Sequence, residues 1–220
     1  MTRRTRWARA VAAGAVAALA LTGCGGDGGA GDGSAAADAE LQGTVRDVPL
    51  EVQDVTLPDA ATGAPTSLVP ADGDLLVAYF GYTSCPDVCP TTMTDVQRAI
   101  DELDPDQAER IEAAFVTVDP QRDTADVLDR YVGYFFDRYR TLRTEDDAQL
   151  QAAKDAFLAS SSITPTGPDT YEVSHTGTTY VVTPDGRVAV EWSFGTSSEA
   201  MAEDLRILLA RTSAPATDDA

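Results

Sequence analysis

The stretch "DLLVAYFGYTSCPDVCPTTM", Asp74 to Met93, decides the fold. Its first half is a continuous apolar run bounded by Asp72-Gly73, the pattern of a strand buried on both faces, near Leu75 to Phe80. From Pro90 onward Met93, Val96, Ile100 and Leu103 recur at helical spacing; Pro90 suits a first helical position and "DPDQ" ends the run. Between strand and helix stand Cys85 and Cys89. Two cysteines are too few for a disulfide framework, and their spacing is one residue longer than the common redox pair.

Strand and helix go on alternating outward from this segment. "AAFVTVD" reads as a second buried strand, Ala113 to Asp119, and Asp123 and Thr124 offer caps for a helix carrying Val127, Leu128, Tyr131 and Tyr134. "RYRTLRT" is short and strand-like, and "EDDAQLQAAKDAFLASS" is helical. "TTYVVTPDGRVAVEWSF" is a hairpin that turns at Pro184-Asp185-Gly186. "SSEAMAEDLRILLAR" closes the domain as an amphipathic helix with Met201, Leu205, Leu208 and Leu209 inward. Upstream, "LEVQDVTLPD", Gly63 and "PTSLVPADG" predict a small hairpin.

Parallel crossovers followed by an antiparallel hairpin predict an α/β fold. The plan resembles the thioredoxin-like fold, with a central mixed sheet, helices on both faces and an extra N-terminal edge hairpin. In such folds reactive cysteines sit where the first central strand turns into its helix, as Cys85 and Cys89 do. Backbone N–H groups and the helix dipole are expected to favour a thiolate there.

The ends of the chain read differently. Arg3, Arg4, Arg6 and Arg9 form a basic head, Ala10 to Leu21 a short apolar core, and "LTGC" closes it, so residues 1–23 read as a signal peptide. The ending resembles the lipobox of bacterial lipoproteins, which makes Cys24 the expected lipidation site and places the protein on the outer face of the cell membrane. An ordinary secretory signal is the competing reading. Residues 24–40 are small or acidic and read as a flexible tether, 41–211 as one domain, and 212–220 as a disordered tail. Without the four leading arginines, 12 basic residues face 36 acidic ones, a formal charge of −24. Phosphate backbones repel such a chain, which argues against nucleic-acid partners.

The chain has three cysteines and one histidine. With Cys24 spent on lipid, Cys85, Cys89 and His175 are the whole remaining stock of soft or imidazole ligands. A four-residue offset lets both sulfurs reach one ion or each other, and both outcomes stay open. His175 lies in "YEVSHTGTTYVV", on what reads as the loop entering the hairpin strand. Two thiolates and an imidazole suit Cu(I) and tolerate Cu(II). Zinc competes, but a structural zinc site wants a fourth protein ligand, and none of cysteine or histidine type remains, although an Asp can serve. Oxidation to a Cys85–Cys89 disulfide removes both thiolates, so metal binding requires the reduced form.

"GYTSCPDVCPTTM", "VTVDPQRDT" and "SHTGTTYVVTPDGRV" resemble the three signature segments of the Sco/SenC family of copper chaperones. The resemblance implies a membrane-tethered thioredoxin-like domain binding one copper ion through Cys85, Cys89 and His175. It also implies a partner, the copper-containing subunit of cytochrome c oxidase, whose dinuclear site such proteins help assemble by delivering copper, by reducing that site's cysteines, or both. One departure is Ser174, where the family usually has Asp before the histidine; a carboxylate there orients the ring.

Other readings stand beside this one. Cys85 and Cys89 suit a redox-active pair in an extracytoplasmic thiol:disulfide reductase or a peroxide-handling relative, or a passive structural disulfide in a binding module. Asp119, Arg122 and Asp123 read as a turn, an ion pair and a helix cap. Met93 reads as core, Asp87 as part of the turn, and Tyr79, Tyr82, Tyr131, Tyr134 and Trp192 as packing.

Overall fold

The computed structural model describes residues 39–213. The signal segment, Cys24, nearly all of the tether and the tail from residue 214 lie outside the described residues.

Among the described residues nine strands and five helices follow in chain order. The strands are β1 (Thr56–Pro58), β2 (Pro65–Ser67), β3 (Leu75–Gly81), β4 (Ile111–Thr117), β5 (Tyr139–Leu142), β6 (Ser161–Pro165), β7 (Tyr171–His175), β8 (Thr179–Val182) and β9 (Val188–Trp192). The helices are α1 (Val88–Asp101), the single turn α2 (Pro105–Ala108), α3 (Ala125–Val132), α4 (Asp147–Phe157) and α5 (Ser198–Ser213). The main sheet has the order β5-β4-β3-β8-β9. β3, β4 and β5 run parallel, while β8 and β9 join antiparallel. β3 is central and every one of its residues is buried, which is why its sequence is an unbroken apolar run.

Helices cover both faces of this mixed sheet. On one face Met93 and Val96 of α1 and Val132 of α3 surround Val77, Tyr79 and Phe115. On that same face the Trp192 indole donates to Asp204 of α5 at 2.8 Å. On the other, Phe157 of α4 packs against Phe80 and Tyr180 at centroid distances of 5.3 and 5.2 Å. The predicted N-terminal hairpin is β1–β2, and backbone bonds from Ala60 to Thr141 and from Arg143 to Pro58 hold it beside β5 at the sheet's edge. The β8–β9 turn uses Gly186 at φ +74°, where a Cβ would also meet Gln53 at 2.6 Å.

Four local expectations change. The helix after the cysteine loop starts at Val88, two residues before Pro90, so Cys89 lies in its first turn. Asp123 caps nothing: Thr124 is the N-cap of α3, and the Asp123 carboxylate turns inward to other partners. Tyr134 lies beyond α3 and is 79% exposed, so it is not core packing. His175 is the last residue of β7, not a loop residue, because β6 and β7 form a separate antiparallel ribbon.

Candidate metal centre

Three segments far apart in sequence converge at the C-terminal end of β3. Cys85 lies in the loop between β3 and α1, its N–H turned back to the Tyr82 carbonyl at 3.2 Å. The loop is tied down two residues earlier. The fully buried Asp123 carboxylate accepts from the Thr83 N–H at 3.1 Å, the Thr83 hydroxyl at 2.6 Å and the Thr117 hydroxyl at 2.5 Å. A buried carboxylate with three donors holds the backbone it binds firmly.

Cys85 and Cys89 are both free thiols, Cys85 half-buried and Cys89 buried. The Cys89 N–H, at the start of α1, donates to Cys85 Sγ at 3.3 Å. Nε2 of His175 lies 3.3 Å from Cys89 Sγ and 3.9 Å from Cys85 Sγ. The three donor atoms all lie within 4.8 Å of one another. Donors around a three-coordinate ion with bonds of about 2.0–2.3 Å sit roughly 3.5–4 Å apart, so the triangle has the size of a metal site.

The imidazole is oriented for ligation. Its Nδ1 donates to the Thr176 carbonyl oxygen at 2.9 Å, which leaves the Nε2 lone pair facing the sulfurs. The Thr176 carbonyl thus orients the ring in place of a carboxylate at position 174; Ser174 is exposed and points away with Glu172. Burial holds the His175 ring below its usual imidazole range, and the backbone at Thr176 and Phe80 only partly offsets it. The ring is boxed by Tyr79 and Tyr82, both edge to face, at 5.8 and 5.6 Å.

One electrostatic expectation fails at Cys89. Burial pushes its thiol well above the ordinary range, against a backbone bond from Tyr82 that favours the thiolate. A helix-terminus field contributes about 0.3–1 kcal/mol, whereas stripping water from an ion costs several kcal/mol. Desolvation wins, and Cys89 stays a thiol until an ion replaces its proton.

Gly81 is a site residue that sequence reading passed over. A Cβ there would lie 2.9 Å from Cys89 Sγ and 2.7 Å from Tyr79 Cε1, so only glycine leaves room for the sulfur. The remaining candidates fall outside the triangle. Met93 is core. Asp87 is exposed, with its carboxylate 3.4 Å from the Thr91 hydroxyl. Arg122 pairs with Asp119 as expected. Among the described residues no carboxylate joins the two sulfurs and the imidazole, so a fourth protein ligand for structural zinc is lacking. Cys24 lies outside the described residues.

The family model described as SCO1/SenC matches residues 56–210. The chain belongs to the SCO1/SenC family. Among its relatives is a protein of Stutzerimonas stutzeri named as copper-binding, 36% identical over 123 residues. That match covers 56% of this SCO1/SenC chain and 59% of the relative, so the chain spans less than two thirds of that relative's length. The solution structure of apo Sco1 from Thermus thermophilus matches with a TM-score of 0.64 and 34% identity, over 78% of this chain and 96% of that one. Bradyrhizobium japonicum ScoI with copper bound gives a TM-score of 0.58 and 27% identity, over 72% and 96%. These structures share the thioredoxin-like fold of the SCO1/SenC domain described above.

Proposed function

We propose that this protein is a lipid-anchored, extracytoplasmic copper-binding protein that serves the assembly of cytochrome c oxidase. Cys85, Cys89 and His175 hold one copper ion, and Cys24 carries the anchor. The cargo goes to the dinuclear copper site of the oxidase's copper-containing subunit. The observation that carries this reading is the triangle of two sulfurs and one free imidazole lone pair within 4.8 Å. Soft donors in a low-coordinate set select copper over the harder divalent ions. The copper-binding name of the Stutzerimonas relative and the copper-bound Bradyrhizobium structure support the same ion.

A second reading rests on the same pair. A half-buried free thiol next to a buried one is also the arrangement of a thiol:disulfide reductase, in which Cys85 attacks and Cys89 resolves. Reduction of the oxidase subunit's cysteines is the substrate this proposal assigns to that activity.

A copper titration tests the first reading. The reduced protein is expected to bind about one copper per chain and the Cys85–Cys89 disulfide form none, since the deprotonated thiol is the ligand. Equal copper retention by both forms would refute it.

A further inference from the structure

The strand that delivers His175 is poorly anchored by apolar burial. β6 and β7 form their own two-stranded sheet, and of the residues in these two strands Val173 alone is buried, at 9% exposure. Alternation along β7 turns Tyr171, Val173 and His175 toward the cysteine loop and leaves Glu172 and Ser174 exposed. The inward row spans about 13 Å from Tyr171 to His175. At the His175 end, the Ser160 N–H donates to the Thr176 hydroxyl at 2.8 Å, and Lys154 Nζ donates to the Ser161 hydroxyl at 3.0 Å.

At the other end, Tyr171 meets a built cluster. Its hydroxyl donates to Asp119 Oδ1 at 2.7 Å, and its ring lies 4.2 Å from the Arg122 guanidinium carbon. Arg122 is ion-paired to the fully buried Asp119. The same guanidinium lies 5.7 Å from the ring of Tyr82, and Tyr82 meets His175 edge to face. Tyr171, Arg122, Tyr82 and His175 therefore form a closed circuit between the ribbon and the cysteine loop.

We infer that Asp119, Arg122 and Tyr171 form a latch that holds β7 against the cysteine loop and so sets His175 in place as the third donor. The inference rests on the metal reading above, and it deepens that reading by making Tyr171 and Arg122 positioning residues. With the latch open, the ribbon's inward row loses its distal hold, and the imidazole leaves the sulfurs while both thiols stay where the β3–α1 loop puts them.

The chain has one histidine, so every histidine NMR signal is His175. In the reduced, metal-free full chain, the His175 ring is expected to show nuclear Overhauser contacts to the Tyr79 and Tyr82 rings. Tyr171→Leu should lose them, and Tyr171→Phe, which keeps the stack on Arg122, should keep them. Where Tyr171→Leu does not fold, Arg122→Gln is compared in the same way. Unchanged ring contacts in the folded Leu or Gln variant overturn the latch. With Cu(II) as probe, Tyr171→Leu should bind about 10–100-fold more weakly than wild type and lose nitrogen hyperfine coupling; wild-type coupling in that variant also overturns it. A wild-type protein that binds no copper refutes the copper proposal, while the metal-free ring contacts still decide the latch.

Discussion

The sulfur of Cys89 lies 3.3 Å from Nε2 of His175, across 86 residues of chain. Nδ1 is committed to the Thr176 carbonyl, so Nε2 accepts, and the buried thiol is the donor. Cys85, half-buried beside them, accepts the Cys89 N–H in the first turn of α1 instead. The two cysteines are thus chemically unlike before any ion or oxidant arrives.

That asymmetry predicts an order of modification. Iodoacetamide offered to the reduced, metal-free protein at pH 8 should label Cys85 in large excess over Cys89, because burial both hides Cys89 and keeps it protonated. Peptide mass spectrometry at early times reads the ratio. Equal labelling would show that Cys89 is more open than its packing implies.

Gly81 gives a steric prediction. A methyl group there meets Cys89 Sγ, Tyr79 and Phe115 at 3.1 Å or less. Gly81→Ala should destabilise the domain by about 1–3 kcal/mol, the usual cost of overpacking, and weaken copper binding by displacing one sulfur. Urea unfolding midpoints and a copper titration measure the two effects. Wild-type values in both would mean that the neighbours yield without strain.

The fold was legible where the local pattern and the tertiary environment agree. β3 reads as buried on both faces because it is central, and the β8–β9 turn reads from Pro184-Asp185-Gly186. The ribbon was not legible as the carrier of His175. Its turn signal, "TPTGPD", separates two short alternating segments, but β6 is mostly exposed and carries no apolar run to mark it. Gly81 was hidden for another reason. A glycine ending an apolar strand looks like a boundary, and only the approach of a sulfur from α1 shows what it makes room for. Asp123 stood at a cap-like position, yet three donors reaching in from Thr83 and Thr117 draw its carboxylate away from the helix.

The anchor makes a prediction about location. Arg3 to Arg9, the short apolar core and "LTGC" precede a polar tether, so Cys24 should carry lipid and the domain should fractionate with membranes. Cys24→Ser should abolish lipid labelling and shift the protein out of the washed membrane fraction. A wild-type protein found free in the medium would contradict the anchor.

Removing the imidazole separates copper delivery from dithiol exchange. A reductase needs Cys85 and Cys89 and works without His175, whereas a three-donor copper site loses one of its three ligands. In His175→Ala the disulfide should still form and be reduced, because the β3–α1 loop and Asp123 position the sulfurs without help from β7. Copper binding should weaken sharply, Cu(II) more than Cu(I), since Cu(II) depends more on nitrogen donors. In cells the substitution should impair oxidase assembly when copper is scarce, and added copper should partly restore it. The measurement is a copper titration of the reduced variant beside a thiol-exchange assay, followed by oxidase activity in the mutant strain. If copper affinity and oxidase activity both match the wild type, copper delivery through this triangle is wrong, and the dithiol chemistry of Cys85 and Cys89 takes its place.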